Sequence, residues 1–424
     1  MRIEQADLQI HRQPFARPFA FKGASFREKW ILIAKLQDAS GVEAVGIGGT
    51  AVLWSDSSVF SAHTEVGGNL LSASVLEFAL QESLNRDFTD PFHLQNEILA
   101  PAHSYAQQIT RNPDLRLSFT LISLVALDNA AWMLHAKLKQ IDNFDDLIPH
   151  AYRDSLSEKQ TQIALAPAVG YNLPVNQIQS ILERGDYILK IKLGQPGTQS
   201  EMVDKDLARL RQIHELARGY QTTGTQSGNV LYYLDANARY EKKQSVEALL
   251  DGCAKSGIHD RIILLEEPFV DPRDQDVSDL SVRVAADESL ERVKDLTTRR
   301  EQGYEAMVIK PAGKTLTLAF QMAKASTESE IPCFVADNAC VPFLLEWNKN
   351  VGARLPPFPG LKGGLIESNG PENYGNWPEL LDEFPIPNAP WLKPKQGSFL
   401  LDDEYYQQSG GIFEEPVPYS RLFD

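Results

Sequence analysis

The sequence predicts an α/β fold: a (β/α)8-type barrel with an N-terminal α+β capping domain that the C-terminal tail completes. Three observations predict it. Residues 1–150 read as strands followed by helices, residues 151–380 alternate strand and helix, and residues 381–424 break that alternation. We take these three ranges as the expected capping domain, the barrel domain and a closing segment, because each pattern belongs to a different layer architecture.

The N-terminal unit begins with two β-like runs, "KWILIAKLQD" and "GVEAVGIGGTAVLW", joined by turn-forming residues 38–41. The period then becomes helical, most clearly over residues 120–140. "GIGGTA" in the second run fits a dinucleotide fingerprint, but the β-like segment after it offers no helix N-terminus to a phosphate. We therefore expect a strand end there. Residues 21–26 ("FKGASF") are expected to form a lid over the barrel mouth, hinged at Gly23.

Eight apolar runs in the central region read as strands. They are QIALAPAVG, YILKIKLG, VLYYLDAN, RIILLEEPF, VRVAADES, AMVIKPAG, PCFVADNA and GGLIESNG. Helical segments lie between most of them, whereas the fourth connection, residues 270–281, is short and polar. A doubly wound open sheet is the competing architecture. The count of eight, and the polar residues at the strand ends, favour the barrel.

The closing segment is rich in proline and aromatic residues, as in "FPIPNAPWLKP" and "EEPVPYSRLF". Aromatic side chains of this size bury a large area when they pack. We expect the segment to leave the barrel and to pack back on the capping domain.

Composition excludes several classes of protein. The net charge of −16 disfavours binding to nucleic acid or to an anionic membrane. No run approaches the ~20 apolar residues that a spanning helix needs, and the N-terminus shows no secretory signal. The three cysteines have no metal-binding spacing, so we expect reduced thiols and a cytoplasmic protein.

Charged residues recur where the predicted strands end. They are Lys190 and Lys192 on the second strand, Asp235 on the third, Glu266 and Glu267 on the fourth, Asp287 and Glu288 on the fifth, Lys310 on the sixth and Glu367 on the eighth. In a barrel these ends converge on the face where loops build the active site. Charges there are costly unless they pair or bind a ligand.

Three of the carboxylates, those of Asp235, Glu266 and Asp287, come from successive strands and can meet around one hard cation. Oxygen-only coordination favours Mg²⁺, with Mn²⁺ as an alternative, and the lack of His or Cys ligands disfavours zinc. Any one of these residues alone could instead be the N-cap of the helix that follows its strand. All three in order favour the metal.

The barrel geometry also accounts for the positions of the lysines. Side chains two apart on a strand share a face, so Lys190 and Lys192 both point to the barrel mouth. Lys310, four strands further round an eight-strand ring, faces them. Two lysines beside a metal-bound carboxylate can act on opposite faces of its α-carbon, and the metal stabilises the enediolate. We expect desolvation and neighbouring cations to lower a lysine pKa towards that of a base.

Here the sequence resembles the enolase superfamily, in its muconate-lactonizing/mandelate-racemase-like branch. The motifs that carry the resemblance, in order along the chain, are "RPFAFKGASFREKWILIAKLQDASGVEAVGIG", "LVALDNAAWMLHAK", "KIKLG", "LDANARY", "LLEEPF", "AADES" and "VIKPAG". The ordered set is specific although no single motif is.

The resemblance implies a role for each motif residue. Asp235, Glu266 and Asp287 would be the metal ligands, Lys192 and Lys310 the acid/base pair, and Lys190 a neighbour that orients or neutralises. Supporting or substrate-binding roles fall to Asn237, Glu288, Asp337, Glu367 and Ser368. The resemblance also implies a small carboxylate substrate and a homo-oligomer.

Residues that the sequence lacks narrow the choice of branch within the superfamily. No histidine follows His259, so the His–Asp dyad of the racemase type cannot form. The lysine–lysine arrangement resembles muconate cycloisomerases, dipeptide epimerases and o-succinylbenzoate synthases, but the eighth strand lacks the DxD of dipeptide epimerases. The substrate, and the choice among racemisation or epimerisation, cycloisomerisation and dehydration, stay open. Two other hypotheses are a non-catalytic carboxylate-binding barrel and a Schiff-base lysine enzyme.

Overall fold

The computed structural model describes residues 1–273 and 275–424. The N-terminal unit is a three-stranded antiparallel sheet in the order β1-β2-β3, followed by helices. The strands are β1 (Ile3–Phe21), β2 (Ala24–Asp38) and β3 (Glu43–Gly49). The helices of this unit are α1 (Val52–Ser55), α2 (Ser57–Ala62), α3 (Glu65–Ser83), α4 (Pro91–Thr110), α5 (Leu117–Lys139) and α6 (Phe144–Leu147).

The β1–β2 hairpin ends in a two-residue turn. Phe21 pairs with Ala24, and both residues between them, Lys22 and Gly23, have positive φ angles of 51° and 74°. Such a turn matches the right-handed twist of the strands. Nearer the sheet, the pairs Pro14–Glu28 and Phe19–Phe26 enclose four residues on β1 and one on β2, so β1 bulges there.

Glycines of β3 allow a close approach of the longest apolar helix. A Cβ atom added to Gly46 or Gly48 would collide with the backbone of α5 at Ala126 or Ala130. This packing, and not a phosphate, accounts for the "GIGG" segment, although the residues after it form α1 and not the expected strand. The expectation about apolar runs was also wrong: α5 is long and apolar enough, by length and composition, to cross a membrane, but its apolar 18-residue window is entirely buried inside the protein.

The second sheet has ten strands among the described residues, in the order β13-β4-β12-β11-β10-β9-β8-β7-β6-β5. The strands are β4 (Gln162–Ala166), β5 (Ala168–Val169), β6 (Ile188–Lys192), β7 (Leu231–Asp235), β8 (Ile262–Glu266), β9 (Val284–Ala286), β10 (Ala306–Ile309), β11 (Cys333–Val335), β12 (Gly364–Glu367) and β13 (Ser398–Leu400). All pair in parallel except β13, which runs antiparallel to β4.

The parallel sheet closes on itself at a proline. Only Pro167 separates β4 from β5, yet β4 pairs with β12 and β5 pairs with β6 at the other end of the strand order. The two ends of the sheet are therefore one residue apart, and β4 with β5 forms one broken strand. This closure confirms the (β/α)8-type barrel and excludes the open sheet.

Helices follow most barrel strands, as predicted. They are α7 (Val175–Glu183), α8 (Gln199–Ala217), α9 (Lys243–Lys255), α10 (Val293–Glu301), α11 (Pro311–Lys314), α12 (Leu316–Glu328), α13 (Pro342–Gly352), α14 (Gly370–Asn373) and α15 (Trp377–Asp382). Short 3-10 helices cover His150–Tyr152, Asp154–Leu156, His259–Arg261, Ser409–Gly411 and Arg421–Phe423. The fourth connection has no helix in its described part, and Asp274 of that connection lies outside the described residues.

The C-terminal segment returns first to the barrel and then to the cap. After β13 come α16 (Asp403–Gln408) and α17 (Val417–Ser420). The ring of Tyr419 lies 6.2 Å from that of His11 on β1, and the Lys35 ammonium on β2 lies 5.9 Å from the Phe423 ring. These contacts agree with a cap that the tail completes. The division of the chain at residues 150 and 380 stays a prediction.

Candidate active site

The candidate site is a small cavity at the carboxyl ends of the barrel strands. The side chains of Phe19, Phe21 and Phe26, all from the β1–β2 hairpin, line it on the side of the cap, and Lys190, Lys192 and Lys310 line it on the side of the barrel. Its volume of about 20 Å³ accommodates little more than one water molecule. The hairpin lies where the lid was expected.

Lys190 is the hub of the charged residues. Its Nζ lies 2.9 Å from Asp235, 3.1 Å from Glu266 and 2.8 Å from Glu367, and it donates to the Tyr233 hydroxyl at 2.9 Å. Burial lowers its pKa, but the three carboxylates outweigh burial and raise that pKa well above the ordinary value. Lys190 is therefore held charged among these carboxylates, and its role as the orienting or neutralising neighbour stays a prediction.

Lys192 projects from the last residue of β6 into the cavity. Its ammonium lies 2.5 Å from Asp235 Oδ2 and donates to Asn237 Oδ1 at 3.1 Å. Burial alone would raise the pKa of Asp235, but Lys190 and Lys192 outweigh it and lower that pKa to about 2. Asp235 is thus an anion that two ammonium groups share.

Lys310 stands on the opposite side of the ring, four strands from Lys192 in the order of the sheet. Its Nζ lies 2.5 Å from Asp287 Oδ2, which also accepts from the Trp54 indole at 3.2 Å. Lys314 donates to the Asp287 carbonyl at 2.6 Å and lies 3.2 Å from its Oδ1. Burial opposes ionisation of Asp287, but Lys310 and Lys314 outweigh burial and lower its pKa.

Three buried carboxylates form a group that can hold a metal ion. One oxygen from each of Glu266, Asp287 and Glu288 lies within 4.8 Å of the others. Among the described residues, Glu266 Oε1 and Glu288 Oε2 are buried and have no hydrogen-bond partner. Orphaned carboxylate oxygens in a buried acidic group are what a hard cation coordinates, so these residues fit Mg²⁺.

This group differs from the predicted ligand set at one position. Glu288 was expected only to support the ligands, and it lies within the group; Asp235 was expected to be a ligand, and it lies against the two lysines. Asn237 donates to Glu288 Oε1 at 3.0 Å, which fits its supporting role. The ligand roles stay predictions.

Glu267 faces away from the cavity, as strand alternation predicts. It accepts from the backbone N–H of Asp287 at 2.8 Å and from the Ser289 hydroxyl at 3.0 Å. Burial raises its pKa to about 7. It fixes the loop that carries Asp287 and Glu288.

The eighth strand closes the ring beside Lys190. Glu367 accepts a hydrogen bond from the Lys190 ammonium and, at 3.1 Å, one from the backbone N–H of Asp337. Burial would raise the pKa of Glu367, but the lysines outweigh burial and lower it. Asp337 in turn accepts from the N–H of Asn369 at 3.1 Å. Ser368 is buried between them. The structure thus brings Asp337 and Glu367 to the cavity.

Sequence reasoning missed the contribution of the cap. Lys22 pairs with Glu288 at 3.0 Å, Trp54 donates to Asp287, and Lys29 donates to the Asn338 carbonyl at 2.5 Å. Burial is the main cause that lowers the pKa of Lys29 to about 8. The lysine directly before the apolar run in "REKWILI" was the available signal, because a lysine on a buried strand needs a partner.

The expected fall in the pKa of the lysines was wrong for two of them. Burial does lower the pKa of Lys310, but Asp287 and Glu266 outweigh it, and the pKa is raised. The same balance raises that of Lys190. Carboxylates within hydrogen-bonding distance stabilise the ammonium form by more than burial destabilises it.

Several solved structures have a fold similar to that of this chain. The first match is a mandelate racemase/muconate lactonizing protein from Herpetosiphon aurantiacus, with a TM-score of 0.64, 17% identity, and coverage of 95% of this chain and 96% of that chain. A dipeptide epimerase from Enterococcus faecalis V583, complexed with Mg and the dipeptide L-Leu-L-Tyr, matches with a TM-score of 0.61 and 17% identity. The match covers 95% of this chain and 98% of that chain.

An L-talarate dehydratase from Polaromonas sp. JS666, complexed with Mg and L-glucarate, gives a TM-score of 0.61, 16% identity, and coverage of 95% of this chain and 92% of that chain. No protein-family model and no curated protein matches the chain. These solved structures share the fold of this chain, and that fold is the one that the resemblance to the enolase superfamily implies. The lysine–lysine branch stays a prediction.

Proposed function

We propose that this protein is an enzyme of the enolase-superfamily type that removes a proton α to a carboxylate. The observation that carries the proposal is the position of Lys192 and Lys310 on opposite sides of one buried cavity, beside the carboxylates of Glu266, Asp287 and Glu288. Structural neighbours crystallised with Mg and small carboxylates support it. The outcome of the reaction is racemisation or epimerisation, cycloisomerisation, or dehydration of the substrate.

Each residue near the cavity has a role in this proposal. Lys192 and Lys310 exchange a proton with the α-carbon from its two faces, and Lys190 compensates the charge of Asp235, Glu266 and Glu367. Glu266, Asp287 and Glu288 would hold a Mg²⁺ ion, with Asp235 as the alternative ligand from the sequence. The bound cation supplies positive charge that stabilises the charge developing on the substrate carboxylate.

The cap contributes the exclusion of water. Phe19, Phe21 and Phe26 cover the cavity, and a site without bulk water strengthens every charge interaction inside it. With about 20 Å³ of free space, the hairpin has to move before a substrate can enter. This motion gives Gly23, at the turn, the hinge role that the sequence suggested.

The two alternative hypotheses explain less. A Schiff-base lysine enzyme leaves the buried acidic group of Glu266, Asp287 and Glu288 without a role. A purely carboxylate-binding protein has no need of ammonium groups on both sides of its ligand. Mn²⁺ in place of Mg²⁺, a cytoplasmic location and a homo-oligomeric state remain predictions.

Proton exchange with solvent tests the proposal. A panel of small chiral carboxylates is incubated with the protein in D₂O, and loss of the α-proton signal is followed by NMR, with Mg²⁺ and with a chelator. We expect exchange that needs the cation and that Glu266→Gln abolishes. No exchange from any carboxylate in the presence of Mg²⁺ would contradict the proposal.

A further inference from the structure

The lid hairpin and the candidate cation site meet at the carboxylate of Glu288. The Lys22 ammonium lies 3.0 Å from Glu288 Oε1, and Asn237 donates to the same oxygen at 3.0 Å. The other oxygen, Oε2, is buried and has no hydrogen-bond partner among the described residues. Glu288 also belongs to the acidic group that it forms with Glu266 and Asp287. A cation held by this group would therefore share one carboxylate with Lys22.

Little water is present to screen two positive charges at this carboxylate. The side chains of Lys22 and Glu288 are only 8% and 2% exposed. Charges interact more strongly in the protein interior than in water, because the surroundings respond less to them. An ammonium group and a divalent cation on the same buried carboxylate therefore repel each other, and each weakens the binding of the other.

The ion pairs around the cavity are balanced without a metal ion. They join five ammonium groups to five carboxylates, so the formal charges of these paired groups cancel. The ammonium groups are those of Lys22, Lys190, Lys192, Lys310 and Lys314, and the carboxylates are those of Asp235, Glu266, Asp287, Glu288 and Glu367. A divalent cation would add uncompensated positive charge to this buried set, which is costly unless one of the ammonium groups moves away.

Lys22 is the one of these five lysines that belongs to the cap. The other four belong to β6, to the end of β10 and to α11 of the barrel. Among the residues that the structure describes, the pair of Lys22 with Glu288 is the one ion pair that joins residues 15–26 to the barrel. Lys22 also donates to the Trp54 carbonyl at 3.2 Å, so its ammonium keeps a partner in the cap when it leaves Glu288.

We propose that Lys22 is a built-in competitor of the divalent cation for Glu288. Lys22 leaves this carboxylate when the cation binds, and the hairpin then loses its ion pair with the barrel. Because such coupling is reciprocal, a hairpin that is held down by Lys22 lowers the affinity of the site for the cation. The inference rests on the proposed cation-dependent function and adds to it the regulation of the cation site by the lid.

Calorimetric titration with Mg²⁺, without substrate, tests the competition. We expect Lys22→Met to lower the Kd for Mg²⁺ about tenfold, within the range of typical coupling between two sites. Lys22→Arg keeps the positive charge and should bind Mg²⁺ about as weakly as the wild type. Lys35→Met removes an ion pair with Glu43 within the cap and should leave the Kd unchanged. Circular dichroism first checks that each variant is folded.

Hydrogen exchange of the wild-type protein tests the reciprocal effect without any substitution. We expect the backbone amides of residues 15–26 to exchange faster with saturating Mg²⁺ than with a chelator. Slower or equal exchange with Mg²⁺ would overturn the inference.

The titration separates a failure of the inference from a failure of the proposed function. A Kd that Lys22→Met leaves unchanged or raises would overturn the inference and leave the cation-dependent function in place. Mg²⁺ binding by Lys22→Met alone would uphold the inference, because the competitor would then prevent binding to the wild type. Absence of Mg²⁺ binding to both proteins would overturn the inference together with the cation-dependent function.

Discussion

The ammonium group of Lys22, at the tip of the β1–β2 hairpin, lies 3.0 Å from the carboxylate of Glu288, at the end of the fifth barrel strand. Their side chains are 8% and 2% exposed. Lys22 also donates to the Trp54 carbonyl at 3.2 Å. The pair therefore ties the hairpin that covers the cavity to the acidic group beneath it.

Replacing Lys22 should loosen the hairpin. Lys22→Met leaves Glu288 with Asn237 alone, and breaking such a buried pair costs roughly 3 kcal/mol. We expect faster hydrogen exchange of the backbone amides of residues 15–26. Lys35→Met, which removes a partly exposed pair between β2 and Glu43 of β3, is the control. Unchanged exchange in Lys22→Met would show that the pair does not hold the hairpin.

The cation ligands can be told apart by Mg²⁺ titration. The geometry predicts that Glu288→Gln weakens binding about as much as Glu266→Gln, because both oxygens belong to one group. Sequence resemblance predicts the larger loss from Asp235→Asn. Calorimetry on the three variants, each first checked for folding by circular dichroism, decides between the two ligand sets. Saturating Mg²⁺, at about 100 times Kd, should stabilise the native protein by about 2.7 kcal/mol.

Removing the hub lysine should destabilise the barrel. Lys190→Met leaves Glu266 and Glu367 without their ammonium partner, which we expect to cost ~3–5 kcal/mol of unfolding free energy. Urea unfolding measures it. Lys324→Met removes an exposed pair with Glu328 and should cost far less, because solvent screens such a pair. Equal losses in the two variants would contradict the hub role.

A buried pair far from the cavity predicts a pH dependence of stability. Burial raises the pKa of Glu346 from 4.5 to about 7, although Lys349 lies 2.5 Å away. The folded state then binds more protons than the unfolded state between these values. Stability that is full below pH 4.5 is lost as pH rises towards 7, by at most about 1.4 kcal/mol per pH unit.

Urea unfolding between pH 5 and pH 7 checks this sign. Glu346→Gln should reduce the fall in unfolding free energy between pH 5 and pH 7. Glu328→Gln, at an exposed site, should leave that fall unchanged. A wild-type stability that rises over this range would contradict the assignment to Glu346.

Much of the barrel side of the site is readable from sequence because its signals are local. Most of the strands are short apolar runs with a charge at or just after the end, and Asp235, Glu266, Asp287 and Lys310 all fall at such ends. Helices α7 to α10, α12 and α13 carry amphipathic or apolar patterns of their own. Parallel pairing then fixes which ends meet.

The lid hairpin was readable, but the polar contacts of the cap were not, because they join residues far apart in sequence. Trp54 and Asp287 are 233 residues apart, and Lys29 and Asn338 are 309 apart. Nothing local distinguishes Lys22 from any polar residue in a turn. The pKa of Lys310 likewise depends on which carboxylates are nearest, and that is a tertiary property.

The central claim is that Lys192 and Lys310 act on opposite faces of one α-carbon. Its most direct test is α-proton exchange in D₂O with each enantiomer of an active carboxylate, measured separately by NMR. The account predicts that Lys192→Ala keeps exchange of one enantiomer only and that Lys310→Ala keeps exchange of the other only. Full exchange of both enantiomers by either variant would contradict it.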